Sequence, residues 1–163
     1  MDKFNSYIQE YKIQLSKGCI QKAYKGIMTF MSDLRIYLEG KHLDYSASAL
    51  YFGYMDMTYF AFTPSALKEK KLKIAIVFLH EDCKFELWLA GNNRQIQAEY
   101  IALLKCKNLG QYALTQINPG VDSIIEAVIV EQPDFDDVER LKKQIEEKTL
   151  EFTKDIIAIL NQN

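Results

Sequence analysis

The chain has 163 residues, and its content of 48% hydrophobic and 26% charged residues is typical of a globular domain, not of a disordered or membrane protein. Its formal net charge is −2 and it holds three arginines, Arg35, Arg94 and Arg140, so nucleic acid is a poor match as a partner. The length predicts one domain over residues 1–163.

The three cysteines, Cys19, Cys83 and Cys106, are widely spaced and form no metal-ligand motif. We expect free, mostly buried thiols in a reducing cytoplasm. The first residues carry no apolar run of the kind found in signal peptides, and no stretch reaches the length of a membrane span. The prediction is a cytoplasmic protein with no membrane partner, no metal and no other cofactor.

Two helices are predicted at the start of the chain. The first has apolar residues at helical spacing and ends near Gly18; they are Phe4, Tyr7, Ile8, Tyr11 and Leu15. The second carries an apolar stripe from Ile20 to Leu38 and ends at Gly40. Together they predict an antiparallel helical hairpin, and Gly26 within the second helix suggests close packing against a neighbour.

The character of the chain changes after His42, because residues 48–62 are rich in aromatic, β-prone side chains. Pro64 and the charged stretch through Lys71 predict a loop. Leu72–His80 is apolar on both faces, which predicts a central strand covered on both sides, and Phe85–Ala90 returns antiparallel after a tight turn.

A helix capped by the asparagine pair before Arg94 follows, and then two short strands at 112–117 and 123–131. The last helix is introduced by Pro133 and runs to about Leu160, with Val138 on its buried stripe. The predicted class is therefore α+β, in the order α-α-β-β-β-α-β-β-α. It has an N-terminal helical hairpin, a mostly antiparallel five-stranded sheet and a long C-terminal helix.

Five segments resemble small bacterial proteins catalogued only as a domain of unknown function: Glu10–Leu15, Ile20–Gly26, Gly53–Phe60, Phe85–Gly91 and Pro133–Asp137. The resemblance covers nearly the whole chain. It implies a bacterial, cytoplasmic, single-domain protein and no known activity, so it assigns no catalytic residue.

Asp56 is a lone carboxylate in a stretch that is predicted to be an apolar strand. Alternation places it with Tyr54, Thr58 and Phe60 on one face, although a bulge at Gly53 would reverse that. The functional interpretation is an acid in a binding cleft. The structural alternative is an aspartate paired with a lysine, with Arg35 or with backbone groups.

Glu86 and Trp88 share one face of the third predicted strand, and Arg94 follows in the first turn of the next helix. Backbone N–H groups at a helix start favour anions, so an anion site is one interpretation. A Glu–Arg surface pair beside a half-covered tryptophan is the other. The predicted ligand site therefore combines Tyr54, Asp56, Glu86, Trp88 and Arg94.

Two functions stay open. The first is a non-enzymatic binding or interaction module with an aromatic-lined cleft. Its partner is a small molecule or a protein, and a homodimer is one of the oligomeric states open to it. The second is an enzyme of undetermined class that uses Asp56 or Glu86 as its acid or base. Metal-dependent nuclease chemistry fits poorly, because Trp88 stands where such a site needs a lysine and Lys84 is expected on the far side. The catalytic residues are unknown.

Overall fold

An antiparallel sheet organises the structure, which is a computed structural model describing residues 3–163. Within that range the sheet has five strands, and each pairs with the next along the chain. They are β1 (Tyr45–Ala47), β2 (Met57–Pro64), β3 (Leu72–Leu79), β4 (Lys84–Gly91) and β5 (Ser123–Val130).

The helices flank this meander at both ends of the chain and interrupt it twice. They are α1 (Phe4–Ser16), α2 (Cys19–Lys41), α3 (Ser65–Lys68), α4 (Arg94–Leu104) and α5 (Val138–Leu160). Side chains cap the N-termini of α4 and α5. Asn93 accepts a hydrogen bond from the Ile96 N–H at the start of α4, and Asp137 accepts one from the Arg140 N–H at the start of α5.

The strand register divides the sheet into two faces. Phe60, Ile76 and Leu87 are paired across β2, β3 and β4, and all three are fully buried. The next positions along the strands point the other way and form what we call the outer face. It includes Tyr59, Ala61, Ala75, Val77, Glu86 and Trp88.

The hydrophobic core lies between the inner face and the helices. Helices α2, α4 and α5 contribute to it through Leu34, Ile101 and Phe152, among others. Among residues 3–163, those of the outer face stay outside this cluster. The helices therefore cover one side of the sheet. The central strand β3 is nevertheless buried on both faces, as predicted, because Val77 and Ala75 on its outer face are 0% and 5% exposed.

The α+β class, the N-terminal helices and the long C-terminal helix are confirmed. Two strand assignments differ. Residues 112–117 make an isolated bridge, Leu114 with Ile125, because Thr115 bonds to the Ser123 carbonyl through its side chain and to Ile124 through its N–H. The strand predicted in residues 48–62 begins only at Met57, and the short β1 precedes it.

Smaller differences concern exposure and packing. All three cysteines are exposed, so the expectation of mostly buried thiols is wrong. A Cβ at Gly26 would meet nothing within 4 Å, so no close packing occurs there. Part of the predicted 64–71 loop forms α3. None of the helices in residues 3–163 is both long enough and apolar enough to cross a membrane.

Candidate functional site

The outer face of β4 carries a connected row of three side chains. Trp88 Nε1 donates to Glu86 Oε1 at 2.9 Å, and Lys84 Nζ lies 3.2 Å from Glu86 Oε2. Glu86 is 6% exposed, and both of its carboxylate oxygens have a partner. Lys84 therefore lies on the same side as Glu86, contrary to the expectation, and hydrogen bonding to Glu86 raises the pKa of Lys84.

Asp56 lies outside the strand in which it was predicted. It occupies an exposed bend before β2, because Gly53 (φ 76°) and Met55 (φ 64°) turn the chain there. Its Oδ1 accepts from the Tyr54 N–H at 2.9 Å. Backbone hydrogen bonds from Tyr54 and Met57 lower the pKa of Asp56, so its partners are backbone groups and not a lysine or Arg35.

His80 is the ionisable neighbour of Asp56. The His80 N–H donates to the Asp56 carbonyl at 3.0 Å, and its Nε2 lies 2.8 Å from Thr58 Oγ1. The imidazole stacks on Tyr24 of α2, with ring centroids 5.9 Å apart. Burial lowers the pKa of His80, and the charge of Asp56 opposes that shift. Asp56 is thus associated with the helix side of the sheet.

The structure consequently separates the five predicted site residues. Glu86 and Trp88 are bonded to each other on the outer face, whereas Thr58 and Phe60, the strand partners expected for Asp56, lie on the inner face. Tyr54 is 90% exposed. Arg94 begins α4 as predicted, but it contacts the 118–122 loop through the Asn118 carbonyl and Asp122.

A large groove lies elsewhere, between the first half of α2, the β3–β4 turn and the segment that leads into α5. Its volume is about 1070 Å³. Typical ligand pockets have about 300–1,000 Å³, so this groove is slightly larger than that range. Its apolar lining comes from Ala23, Ile27, Phe30, Phe78, Pro133, Phe135 and Val138.

Aromatic rings form the floor of the groove. Phe135 meets Phe30 edge to face, with centroids 5.6 Å apart, and meets Phe78 in the same way at 5.8 Å. Phe85 packs beneath them. Edge-to-face contact is a preferred arrangement of aromatic pairs and stabilises the packing of this floor. Val138 was predicted on the buried stripe of α5 but is 40% exposed, because it lines this groove.

Charges of both signs line the groove together with these apolar groups. They are Lys22, Lys25 and Lys142 on one hand and Asp33, Asp82 and Glu131 on the other. Gly26 also lines it, and the missing side chain leaves the wall open at that point. A groove lined by both apolar and charged groups suits an amphipathic occupant, which places its apolar face on the apolar lining and its polar groups beside the charges.

Helix α1 exposes its apolar stripe. Among the described residues of α1, none is buried, and Phe4 is 75% and Tyr11 60% exposed. Ile8 is also exposed, on the same face by spacing. The predicted hairpin thus leaves the first helix without a buried side. Exposed clusters of large apolar residues mark interaction surfaces more often than solvated ones.

An ionic cluster around the buried carboxylate of Glu146 joins α2 to α5. Glu146 Oε1 accepts from Tyr37 Oη at 3.0 Å and Lys41 Nζ at 3.1 Å, and His42 Nε2 lies 2.8 Å from Oε2. Burial alone would raise the pKa of Glu146, but the hydrogen bonds from His42, Lys41 and Tyr37 lower it. With both oxygens engaged, this carboxylate links two helices.

Sequence reasoning missed the groove because its residues come from three distant segments. A signal was present in α2, where Phe30 adjoins the predicted stripe residue Met31 and widens the apolar arc beyond one stripe. Phe135, an aromatic residue among the three aspartates that precede α5, was a second signal.

A family model described as a domain of unknown function, DUF7000, matches residues 4–160. The chain belongs to this family. The match spans the groove and both helices that border it, as well as α1. Comparison with curated proteins and with solved structures found no match. The family confirms the resemblance seen in the sequence and assigns no activity.

Proposed function

We propose that the chain is a non-enzymatic cytoplasmic interaction module that holds an apolar helical segment in the groove between α2 and the start of α5. The observation that carries the proposal is the aromatic floor of Phe30, Phe78 and Phe135 beneath an opening of about 1070 Å³. Helix-in-groove recognition needs such an apolar trough, with polar groups beside it that remain hydrated.

The charged lining supports a helix over a compact small molecule. Lysines and carboxylates line the groove together with the apolar groups, so a partner that presents charged residues beside an apolar stripe can pair with them. Three exposed free thiols are compatible with a reducing compartment, which supports the cytoplasmic location.

The enzymatic alternative gains no support from the two carboxylates it requires. Glu86 is occupied by Trp88 and Lys84, and Asp56 is bonded to backbone N–H groups in an exposed bend. A general base needs a free lone pair and a pKa near the working pH. Glu86 has both oxygens engaged, and the lowered pKa of Asp56 makes that carboxylate a weak base. We therefore do not assign either residue a catalytic role.

The groove is tested with a fluorescent apolar probe, 8-anilinonaphthalene-1-sulfonate, titrated at low protein concentration. Gly26→Trp should fill the groove and weaken saturable probe binding by at least about tenfold, because the new indole covers the aromatic floor. Gly26→Ala is the matched control and should bind as the parent does, since its Cβ meets nothing within 4 Å.

Both variants should fold, because position 26 lies on an open helix surface. Circular dichroism before each titration establishes that. Equal probe binding by the Trp and Ala variants would place the probe outside the groove and contradict the proposed function.

A further inference from the structure

Helix α1 and the groove match in length. The stripe on α1 runs from Phe4 to Leu15, and the α2 wall of the groove runs from Lys22 to Asp33. Each covers eleven helical steps, which at 1.5 Å per residue is about 17 Å. One chain thus carries both an apolar helical stripe and a groove of the length that the stripe requires.

In this structure α1 does not occupy the groove of its own chain. None of the groove-lining residues belongs to α1, within the 3–163 range that the structure describes. The link between the helices is Lys17 and Gly18, with Gly18 at φ 78°, and it fixes the end of α1 beside the first turn of α2. Short hinges of this kind favour exchange of the element between copies over folding back.

The available area agrees with a reciprocal exchange. Phe4, Ile8 and Tyr11 together offer roughly 350 Å² of exposed side chain, if a fully exposed large side chain contributes about 200 Å². Two helices docked in two grooves would bury at most about 1,400 Å² when both sides are counted, which reaches the lower part of the range of about 1,200–2,000 Å² for specific interfaces. A single helix in a single groove would fall well below it.

We propose that α1 of one copy occupies the groove of a second copy, and that the second copy returns the same contact, which gives a two-fold symmetric dimer. This rests on the proposed function and names its occupant. Ile8 and Tyr11 would lie on the floor formed by Phe30 and Phe135, and the closed symmetry stops assembly at two chains.

The test is the mass in solution by light scattering coupled to size exclusion. At about 100 μM the parent chain should have twice its 18.9 kDa mass. The double variant Ile8→Ser/Tyr11→Ser and the groove variant Gly26→Trp should each weaken dimerisation at least about 30-fold. Gln9→Ser on α1 and Gly40→Trp on α2 are matched controls outside the docking surfaces and should dimerise as the parent does, since a Cβ at Gly40 meets nothing within 4 Å.

Mixing the two defective variants gives the sharper result. One has an intact groove and the other an intact helix, so their mixture should recover one of the two docking contacts and associate more than either variant alone. Substitutions in α1 do not threaten folding, because α1 buries none of its described residues.

A monomeric parent, a dimer that survives either variant, or a mixture that associates no better than its components would overturn the inference. Probe binding separates this from failure of the proposed function. If the parent is a monomer but still binds the probe, and Gly26→Trp abolishes that binding, the dimer is wrong and the groove remains a binding site. If the parent is a monomer and Gly26→Trp leaves probe binding unchanged, the dimer and the proposed function are both wrong.

Discussion

Glu146 shows how one buried carboxylate fixes the relation between two helices and a loop. Tyr37 and Lys41 come from α2, His42 follows its end, and Glu146 belongs to α5. The net value of a buried ion pair is small, but removal of one partner leaves the others without compensation. The cluster therefore specifies the orientation of α2 on α5.

Glu146→Gln should lower the free energy of unfolding by about 2 kcal/mol at pH 7, because the amide presents an N–H₂ group to a neighbouring donor. The lowered pKa of Glu146 means that its stabilisation is present above the ordinary value of 4.5 and is lost as pH falls through the folded-state pKa. Urea unfolding of both proteins should thus show a difference that shrinks below about pH 4.5.

The neighbouring Glu147 is exposed, so Glu147→Gln serves as the control and should change stability by less than about 0.5 kcal/mol. A Glu146→Gln difference that stays constant down to pH 3 would show that the carboxylate charge contributes nothing.

At the scale of elements, the start of β2 depends on the bend that precedes it. Gly53 has φ 76°, and a Cβ there would overlap the Met57 carbonyl oxygen and approach Asp56 Oδ1 to 2.9 Å. The chain thus passes so close to itself that only glycine fits. This bend is the physical reason that the aromatic stretch 48–62 does not form one long strand.

Gly53→Ala should cost about 3 kcal/mol or more, as the left-handed conformation costs roughly 1–2 kcal/mol for alanine and the overlap adds to it. Gly120→Ala is the control, because Gly120 has φ 83° with nothing within 4 Å of its Cβ. It should lose only the conformational part. If chemical denaturation shows the same loss of unfolding free energy for Gly53→Ala and Gly120→Ala, the bend accommodates the added Cβ at no further cost.

The elements that sequence reasoning identified are those with strong local signals. The apolar run of β3, the asparagine cap of α4 and the long stripe of α5 each determine their structure locally. Residues 112–117 have strand-like composition. In the structure, however, the Thr115 hydroxyl donates a hydrogen bond to the Ser123 carbonyl, and composition does not reveal a side-chain contact of this kind.

The site was harder to predict because it depends on which side of the sheet the helices cover. Alternation grouped Asp56 with strand residues, whereas positive φ angles at Gly53 and Met55 removed it from the strand. Glu86 and Trp88 were correctly placed on one face, and their hydrogen bond follows from that spacing. The groove required knowledge of tertiary contacts between α2, the β3–β4 turn and the segment before α5.

At the scale of the whole molecule, the core joins the inner face of the sheet to α2, α4 and α5 without interruption. Trp88, the only tryptophan in the sequence, lies on the opposite face of the central part of the sheet. Its environment depends on the sheet, while far-ultraviolet circular dichroism is dominated by the helices.

Fluorescence of Trp88 and circular dichroism should therefore report the same unfolding midpoint in urea, since sheet and helices share one core. Reductant should leave that midpoint unchanged, because all three cysteines are free. Two separate midpoints would divide the chain into independently folding parts and contradict the prediction of one domain.

The margins of the sheet carry a consequence for aggregation. One margin is β1, which has three residues, and along the other the 112–117 segment bridges to β5 at Leu114. Short or partly covered margins are poor templates for strand addition from a neighbouring molecule. Both margins therefore disfavour backbone pairing between copies, the kind of contact that could continue into fibrils. Side-chain contacts of the proposed dimer, in contrast, would be saturated once two chains have met.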